Sequence, residues 1–378
     1  MDNELLASVL NDGRFPTLVA EGVAGTRYNV VLFQDRYYAL HQADGPFDPA
    51  KVGSGGYARP VYIGHSIAEV GALAQGKRFD AAQDRVMLLD RQEKLTEIVR
   101  ALCRFVPAGH YYSPIVADED VAARAATPPA PLPRVLPGIE LREDEQREHL
   151  QAMAREYSEL PPFPADPTPG HRYYHVNDEH WYFDGISLRH FLLSARPRRV
   201  IEIGAGYSSA LMLDVDEQHA MDIRFTFIDP DLVRLRRLAT PADKAKHEII
   251  ERKVQQVPLG LFDELVAGDI LYIDSSHVCK MDSDVNWYMF EILPRLKPGV
   301  FVHIHDIGYP FDYPLWLFQE GRSWNEPYVL HAFLMYNRAF QIEFFTAFMS
   351  NFHIDFIRAN MPMCEQRPGG AFWMRKAS

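Results

Sequence analysis

The stretch "VIEIGAGYSSALML", residues 200–213, decides the fold. Its first residues are apolar, a turn with Gly204 and Gly206 follows, and the remainder has the composition of a helix. Glycine permits a tight turn and lets a ligand approach the backbone closely. The hydroxyls of Ser208 and Ser209 lie near the start of that helix, where free N–H groups can hold a carboxylate. The stretch therefore predicts a strand, a ligand-binding turn and a helix.

Outward from this stretch, short β-rich runs alternate with helix-like segments from residue 198 onward. The runs are "RVIEIG", "IRFTFID", "DILYID" and "VFVHIHD". Such alternation, with nearly continuous apolar strands, is typical of a parallel sheet covered by helices on both faces. Ligands of these sheets bind beyond the carboxyl ends of the strands. The fold class predicted is α/β, with a doubly wound, mostly parallel sheet.

Two carboxylates indicate which ligand the turn takes. Glu202 precedes the turn by two residues, as a carboxylate facing an ammonium group would, and Asp229 ends the next strand. A carboxylate at that strand end can accept both hydroxyls of a ribose. Ser209 replaces the third glycine of the dinucleotide fingerprint, which argues against a nicotinamide cofactor. A ligand with an amino-acid end and a ribose end is S-adenosylmethionine.

These residues resemble motifs I and II of the class I S-adenosylmethionine-dependent methyltransferases. Four blocks, "IEIGAGYSSALMLD", "DILYIDSSHVCKMDSDVNW", "LPRLKPGVFVHIHDI" and "WNEPYVLHAFLMYN", together resemble a bacterial methyltransferase family. The resemblance covers roughly residues 172–378. It implies a Rossmann-like, seven-stranded sheet with a reversed final strand, for which "FQIEFFT" and "GAFWMRK" are suitable. It implies donor contacts from Glu202, Gly204, Ala205, Gly206, Ser208, Ser209, Asp229 and Asp274.

A second group of polar residues follows two other strands. Asp274 and His277 follow "DILYI", and His305 and Asp306 follow "VFVHI". If the helix near residues 284–296 is a crossover, these strands are parallel neighbours about 4.8 Å apart, and the four side chains converge. We expect His303 to point into the protein. His277 is the predicted general base, because the unperturbed pKa of histidine lies near neutrality.

Two carboxylates with an imidazole can also hold a divalent cation. Oxygen ligands favour Mg²⁺ or Ca²⁺, whereas histidine favours Mn²⁺, Fe²⁺ or Zn²⁺. The spacing Asp-x-x-His, with an acidic pair after the next strand, resembles the metal-dependent sugar O-methyltransferases of macrolide biosynthesis. Those enzymes carry Glu-Asp where this chain has His305-Asp306. If a metal binds, the expected ligands are Asp274, Asp306 and His305, and the departure from Glu-Asp leaves both the requirement for a metal and its identity open.

Further site candidates lie outside these strands. Trp324 and Glu326 begin "WNEPYVLHAF" and can reach substrate if a helix packs over the pocket. Asn177 and Asp184 precede the first strand, where the resemblance places residues over the cofactor.

Proline marks the predicted domain organisation. Five prolines in "ATPPAPLPRVLPG", residues 126–138, exclude a regular helix and predict an extended linker. The expected domains are an N-terminal α+β accessory domain at 1–125, a proline-rich linker with a helix at 126–171, and the methyltransferase domain at 172–378. Within the first, a hairpin is predicted over 26–40 with its turn at Gln34-Asp35, and helices are predicted over 66–75 and 85–105.

The composition and charge of the chain limit the classes of partner that we expect. The chain of 378 residues has a formal charge of −12, which disfavours nucleic acid. The sequence contains no apolar run long enough to predict a membrane span, and its start lacks a basic signal sequence. Three separated cysteines fit a reducing compartment. We therefore expect a cytoplasmic protein.

The predicted activity is O-methylation of a polar small molecule or saccharide. A nicotinamide-dependent oxidoreductase and a non-catalytic binding protein are the alternatives. The acceptor and a homo-oligomeric state stay open.

Overall fold

The structure is a computed structural model, which describes residues 17–20, 28–33, 36–41, 62–64, 106, 109–177, 179–366 and 369–378. The chain divides into two compact units, residues 1–113 and 114–378. The expectation that residues 1–125 fold separately from residues 172–378 stays a prediction.

In the first unit, four strands form an antiparallel sheet in sequence order. They are β1 (Thr17–Ala20), β2 (Tyr28–Phe33), β3 (Arg36–His41) and β4 (Tyr62–Gly64). Strands β2 and β3 pair antiparallel, as predicted for a hairpin, with Phe33 opposite Arg36, and the predicted turn at residues 34–35 lies outside the described residues. The helices predicted over 66–75 and 85–105 lie outside the described residues.

The second unit is built on a seven-stranded sheet of order β10-β11-β9-β8-β5-β6-β7. Its strands are β5 (Arg199–Ile203), β6 (Arg224–Ile228), β7 (Glu248–Ile250), β8 (Ile270–Ile273), β9 (Phe301–Ile304), β10 (Phe340–Phe345) and β11 (Phe372–Lys376). Five strands run parallel, and β11 pairs antiparallel with both β9 and β10. The predicted doubly wound α/β sheet with a reversed final strand is confirmed.

Helices connect these strands and cover both faces of the sheet. Before β5 lie α1 (Asp118–Ala126), α2 (Glu143–Glu159) and α3 (Tyr182–Ala195). Between strands lie α4 (Tyr207–His219), α5 (Val233–Leu238), α6 (Pro241–Lys246), α7 (Asp284–Trp287), α8 (Leu315–Gln319), α9 (Glu326–Leu334), α10 (Thr346–Phe352), α11 (Ile354–Asn360) and α12 (Pro362–Glu365). Helix α7 continues through a π-turn, Tyr288–Ile292, into a 3₁₀ turn, Leu293–Arg295, and this is the predicted crossover. Among the described residues, no helix has the length and apolar character needed to cross a membrane.

The central strands are buried because they are covered on both faces. Every residue of β8 is buried, as are the last four of β5. Aromatic side chains fill the layer between helix and sheet, where the rings of Phe191 on α3 and Trp373 on β11 stack with centroids 4.1 Å apart. Continuous burial explains the unbroken apolar runs in the sequence.

The proline-rich segment belongs to the second unit. Residues 116–133, which we call the strap, comprise α1 and an extended proline stretch. Helix α1 has no buried residue, whereas Leu136 and Ile139, just beyond the strap, are buried in the core. The hydroxyl of Tyr309 donates a hydrogen bond to the carbonyl of Pro133 at the end of the strap. The strap is thus an exposed segment with an anchored end.

Candidate functional site

A cavity of about 1670 Å³ opens where the parallel strands end. The glycine turn after β5 and Asp229 after β6 line part of its wall, and Asp274, His277 and Asp306 after β8 and β9 line another part. The strap lines it as well, as does the loop that follows β9. A cavity of this size exceeds the roughly 300–1,000 Å³ of common small-molecule pockets, so it has room for two ligands side by side.

The glycine turn is fixed by its contact with the end of β8. Gly204 has φ +87°, and a side chain built on it would overlap the carbonyl oxygen of Asp274. The Gly204 N–H donates to the Ile228 carbonyl at 2.9 Å, and the Asp274 N–H donates to the Ile203 carbonyl at 2.8 Å. Only glycine fits position 204 without strain. By contrast, a Cβ on Gly206 would meet only the flexible side chain of Arg234, at 3.2 Å.

Glu202 stabilises the turn through hydrogen bonds to the first residues of α4. Its buried carboxylate accepts hydrogen bonds from the hydroxyls of Ser208 and Ser209 on α4, and the Ser209 Oγ accepts the Gly206 N–H at 2.9 Å. Burial raises the pKa of Glu202 to about 8. Glu202 and Ser209 are not among the described residues that line the cavity, whereas Gly204, Ala205, Gly206 and Ser208 are. Both carboxylate oxygens are turned to α4, and the predicted contact of Glu202 with an ammonium group stays a prediction.

Asp229 lies at the end of β6, as predicted, and lines the cavity. Its Oδ2 accepts the Ala205 N–H at 2.9 Å and its Oδ1 accepts the Asp231 N–H at 2.7 Å. Burial raises the pKa of this carboxyl group above its usual range. Nearby, an exposed ion pair joins Arg234 to Glu179, 2.9 Å apart, and both residues line the cavity.

The structure brings together the four residues predicted at the acceptor side. His277 Nε2 lies 3.6 Å from Asp274 Oδ1 and 3.6 Å from Asp306 Oδ2. His305 Nδ1 lies 3.3 Å from Asp306 Oδ1 and 4.0 Å from Asp274 Oδ1. His277 and Asp306 both have positive φ, 59° and 57°. These backbone turns direct the two side chains toward each other from neighbouring strands.

Burial and neighbouring charges together shift the pKa of each group in this cluster, and at Asp274 burial prevails and raises the pKa. Burial alone would lower the pKa of His277, but its hydrogen bond to Glu326 and the charges of Glu326, Asp306 and Asp274 raise it to about 9. Burial opposes the same rise at His305, yet Asp274 and Asp306 bring its pKa to about 10. Asp306 shows the converse: burial would raise its pKa, and the two histidines lower it to about 2.

His303 lies away from the cavity. Its buried ring stacks on Tyr272, with centroids 4.0 Å apart, and packs against Trp373 at 4.6 Å. His303 and His305 start on the same face of β9 because side chains alternate along a strand. Only His305 lies beyond the last residue of β9, Ile304, and so reaches the carboxylates.

Of the four further candidates, Trp324 and Glu326 lie next to His277. Trp324 lines the cavity and packs on His277, with ring centroids 4.3 Å apart. Glu326 is fully buried, and its carboxylate accepts from Nδ1 of His277 at 2.8 Å and from the hydroxyl of Tyr288. Glu326 is not among the described residues that line the cavity, because its side chain lies behind His277. The hydrogen bond from His277 Nδ1 to Glu326 fixes the orientation of the imidazole ring.

Asn177 and Asp184 have structural partners. The Asn177 amide caps the turn before α3, accepting from the His180 N–H at 2.7 Å and donating to the Tyr174 carbonyl at 2.7 Å. Asp184 is buried and accepts the N–H groups of Gly370 and Ala371, each at 2.9 Å, which fixes the start of β11. Neither is among the described residues that line the cavity. The second Asp184 oxygen lies 3.8 Å from His305 Nε2.

Sequence reasoning did not identify Tyr313 or Tyr288. Tyr313 lies in the loop after β9 and is among the residues that line the cavity. Tyr288 is buried in the π-turn and reaches the site only through Glu326. No local motif marks either tyrosine, although a π-turn inside a helix often accompanies a functional site.

One group among the described residues has atoms placed to hold a metal ion: Asp274, His305 and Asp306 each offer a ligand atom, all within 4.8 Å of one another. The fit is supported by His305, because neither of its buried ring nitrogens makes a hydrogen bond of good geometry, and Nδ1 faces Asp306 Oδ1 at 3.3 Å. An unpartnered imidazole nitrogen facing two carboxylates is a donor set that divalent metals accept.

The strand order and the donor-side residues define a class I methyltransferase fold, the class that uses S-adenosylmethionine. Residues 201–307 match a family described as a methyltransferase domain. An uncharacterised protein of Archaeoglobus fulgidus is 30% identical over 184 residues, which are 44% of this chain and 76% of the archaeal protein. The chain belongs to the same family as this archaeal protein, and its residues 201–307 have the sequence pattern of a methyltransferase domain.

Two solved structures are more distant. The O-methyltransferase TomG from Streptomyces achromogenes, in complex with SAM, is 15% identical, with a TM-score of 0.34 over 61% of this chain and 90% of its own. The SAH-bound methyltransferase PaMTH1 of Podospora anserina is 12% identical, with a TM-score of 0.36 over 69% of this chain and 97% of its own. Similarity at this level says nothing about the acceptor or a metal.

Proposed function

We propose that the protein transfers the methyl group of S-adenosylmethionine to a hydroxyl of a polar small molecule or saccharide. One observation carries the proposal: a single cavity is lined both by the glycine turn with Asp229 and by Asp274, His277 and Asp306. Holding donor and acceptor in one cavity supplies the proximity and alignment that an in-line displacement needs. The residues at the acceptor side are those that can hold and deprotonate a hydroxyl.

On the donor side, the chain's role is to bind and orient. Backbone groups of Gly204, Ala205 and Gly206 form a wall that a ligand can approach closely, and the Asp229 carboxylate suits ribose hydroxyls. Asp274 contributes its backbone to the same wall through the contact with Gly204. When bound, S-adenosylmethionine supplies the methyl group.

On the acceptor side, His277 is placed to move the proton. Glu326 fixes the ring by accepting from Nδ1, so Nε2 faces the cavity between Asp274 and Asp306. With a pKa of about 9, His277 holds a proton at neutral pH while both carboxylates are uncompensated. Glu326 contributes most to this raised pKa, and a cation beside Asp274 and Asp306 would offset the remaining part and bring His277 closer to accepting a proton.

A divalent cation belongs to this proposal, with Asp274, His305 and Asp306 as its ligands. When bound, it would lower the pKa of an acceptor hydroxyl. Mg²⁺ and Mn²⁺ are the ions to try first, since two of the three ligands are carboxylates.

Calorimetry with S-adenosylhomocysteine tests the donor side, and methyl transfer from labelled S-adenosylmethionine tests the acceptor side. We expect Asp229→Ala to weaken S-adenosylhomocysteine binding at least about tenfold, because it removes a charge-assisted hydrogen bond. We expect Asp306→Ala to abolish transfer while S-adenosylhomocysteine affinity stays within about twofold. Undiminished binding to Asp229→Ala would remove the donor assignment.

Chelation separates the two versions of the acceptor side. If a cation is required, EDTA abolishes transfer, and Mg²⁺ or Mn²⁺ restores it. Full activity in EDTA eliminates the cation and leaves His277 or His305 as the base. NAD(H) serves as the control ligand in thermal shift, and stabilisation by NAD(H) instead of S-adenosylhomocysteine would favour an oxidoreductase.

A further inference from the structure

An ion pair lies in the cavity wall beside the glycine turn. Arg234, on α5, and Glu179, in the turn before α3, contact each other through Nη2 and Oε1 at 2.9 Å. Their side chains are 43% and 52% exposed, and both residues line the cavity. The pair is therefore accessible from the space in which the donor is proposed to bind.

The guanidinium of Arg234 reaches Gly206. A Cβ placed on Gly206 would lie 3.2 Å from Cδ of Arg234 and 3.4 Å from its Nη1. The ion pair with Glu179 uses Nη2, which leaves the hydrogens of Nη1 for a ligand at the turn. The guanidinium also lies 5.9 Å from the ring centroid of Tyr207, the first residue of α4. Arg234 thus brings a positive charge to the glycine turn.

Glu179 is held beside the same turn by its backbone. Its N–H donates to Oδ1 of Asn177 at 3.0 Å, and Nδ2 of Asn177 donates to the carbonyl of Tyr174 at 2.7 Å. The hydroxyls of Tyr174 and Tyr207 are hydrogen-bonded at 2.6 Å, which connects this segment to the start of α4. Because the ion pair with Arg234 engages Oε1 of Glu179, Oε2 can accept a hydrogen bond from a ligand.

The other cationic side chains of the cavity lie elsewhere. Three arginines and no lysine are among the described residues that line it. Arg124 belongs to the strap, and Arg322 lies 4.9 Å from the ring centroid of Trp324, which packs on His277. Arg234 is the arginine that contacts the glycine turn. A ligand carboxylate at the turn therefore has Arg234 as its cationic partner.

We propose that Arg234 and Glu179 bind the amino-acid end of S-adenosylmethionine, Arg234 its carboxylate and Glu179 its ammonium group. The ion pair opens as the donor enters, and each side chain exchanges its partner for the oppositely charged group of the zwitterion. This inference rests on the proposed methyl transfer and names the residues that recognise the donor's amino-acid end.

The energetic argument favours this exchange. Exposed ion pairs contribute little to stability, so opening this one costs at most roughly fivefold in an equilibrium constant. In return, each side chain forms a charge-assisted hydrogen bond with the ligand, which is stronger than a neutral one. Glu202, the predicted partner of the ammonium group, is buried, and both of its carboxylate oxygens already accept from serine hydroxyls. Glu179 is the exposed alternative at the same turn.

Calorimetry with three adenosyl thioethers tests the assignment. S-adenosylhomocysteine carries the whole amino-acid end, S-adenosyl-3-thiopropylamine lacks only the carboxylate, and 5′-methylthioadenosine lacks both charged groups. We expect the wild-type protein to bind S-adenosylhomocysteine at least about tenfold more tightly than 5′-methylthioadenosine, because two charge-assisted hydrogen bonds are lost with the amino-acid end.

The two residues should affect different parts of the ligand. Arg234→Met should weaken S-adenosylhomocysteine binding about tenfold, with 5′-methylthioadenosine within about twofold and S-adenosyl-3-thiopropylamine no weaker than in wild type. Arg234→Lys keeps the charge and should retain most of the S-adenosylhomocysteine affinity. Glu179→Gln should weaken S-adenosylhomocysteine and S-adenosyl-3-thiopropylamine alike, by at least about threefold, and leave 5′-methylthioadenosine within about twofold.

A neighbouring ion pair supplies the matched controls. Arg236 also lies on α5 and is paired with Glu251, both side chains are about half exposed, and neither is among the described residues that line the cavity. Arg236→Met and Glu251→Gln should leave all three affinities within about twofold of wild type. All four positions are exposed, so we expect every variant to melt within a few degrees of wild type.

Two results would overturn the proposal. One is unchanged S-adenosylhomocysteine affinity in both Arg234→Met and Glu179→Gln, and the other is an equal loss of affinity for S-adenosylhomocysteine and 5′-methylthioadenosine. A loss confined to Arg234→Met would overturn the role of Glu179 and return the ammonium group to Glu202. In each of these cases, wild-type binding of S-adenosylhomocysteine leaves the proposed methyl transfer standing. A wild-type protein that binds none of the three ligands would instead remove the proposed function.

Discussion

Gly204 and Gly206 stand two residues apart, yet a side chain would meet different surroundings at each. At Gly204 a Cβ overlaps the Asp274 backbone, whereas at Gly206 it meets only the movable Arg234 side chain. We expect Gly204→Ala to destabilise the fold by at least about 2 kcal/mol, since it adds overlap to an unfavourable positive φ. Gly206→Ala should fold normally and weaken donor binding.

Thermal unfolding and calorimetry with S-adenosylhomocysteine distinguish the two alanine variants. A Gly204→Ala protein that melts within a degree of wild type would show that this strand-end contact is less rigid than the structure indicates. Equal donor affinity in Gly206→Ala and wild type would place the donor away from the turn.

The raised pKa of Glu202 makes the free energy of unfolding depend on pH, in a direction that can be stated. Burial raises its pKa from 4.5 to about 8, so the folded chain keeps a proton that the unfolded chain releases. The free energy of unfolding therefore falls as pH rises between these values, with each unit of pKa difference worth about 1.4 kcal/mol. Glu202→Gln keeps the shape of the side chain without this titration.

Unfolding of wild type and Glu202→Gln at pH 5 and pH 9 measures the effect. The difference in free energy of unfolding, variant minus wild type, should become more positive at pH 9 than at pH 5. A difference that does not change with pH would mean that Glu202 ionises normally, held by the two serine hydroxyls.

At the level of elements, the strap is the segment that borders the acceptor. Helix α1 buries no residue, and its Arg124 reaches Asp312 only at 3.8 Å. The extended part is anchored through the hydrogen bond from Tyr309 to Pro133. Segments with few buried contacts open at low free-energy cost. We infer that the strap opens for acceptor entry.

Tyr309→Phe tests this inference, because it removes the anchor and keeps the ring. We expect faster proteolytic cleavage within residues 127–133, and a raised acceptor KM with unchanged S-adenosylhomocysteine affinity. Tyr336→Phe, at an 80% exposed position, is the surface control. Cleavage at the wild-type rate would show that the anchor does not restrain the strap.

Local patterns in the sequence predicted the strand ends well, because a strand, its turn and the next helix are contiguous. Asp229 and Asp274 each follow an apolar run directly, and Asp306 follows the end of β9 after His305. Glu326 was different, because its role depends on which distant segment folds against His277. An acidic residue in the first turn of α9 satisfies helix capping equally well, so the sequence could not reveal its partner.

Across the whole molecule, the residues around the cavity that carry chemistry belong to the second unit, residues 114–378. We propose that a chain beginning at residue 114 folds and binds S-adenosylhomocysteine with an affinity within about twofold of the full chain. A chain beginning at residue 136 keeps Leu136 and Ile139, which are buried, but lacks the strap. It should retain donor binding and lose acceptor binding.

Circular dichroism, calorimetry and methyl transfer on both truncated chains check this division. Failure of the chain from residue 114 to fold would show that the first unit is needed for stability. Acceptor turnover in the chain from residue 136 that equals the longer chain would exclude the strap from the acceptor site.

The overlap between a Gly204 side chain and the Asp274 carbonyl also matters for protein engineering. The donor turn and the end of β8 are a single steric unit, although 70 residues separate them in the sequence. A chimera that takes its acceptor half from a homologue must inherit both positions from one parent. The permissible crossover lies after Asp274, where the side chains that select the acceptor begin.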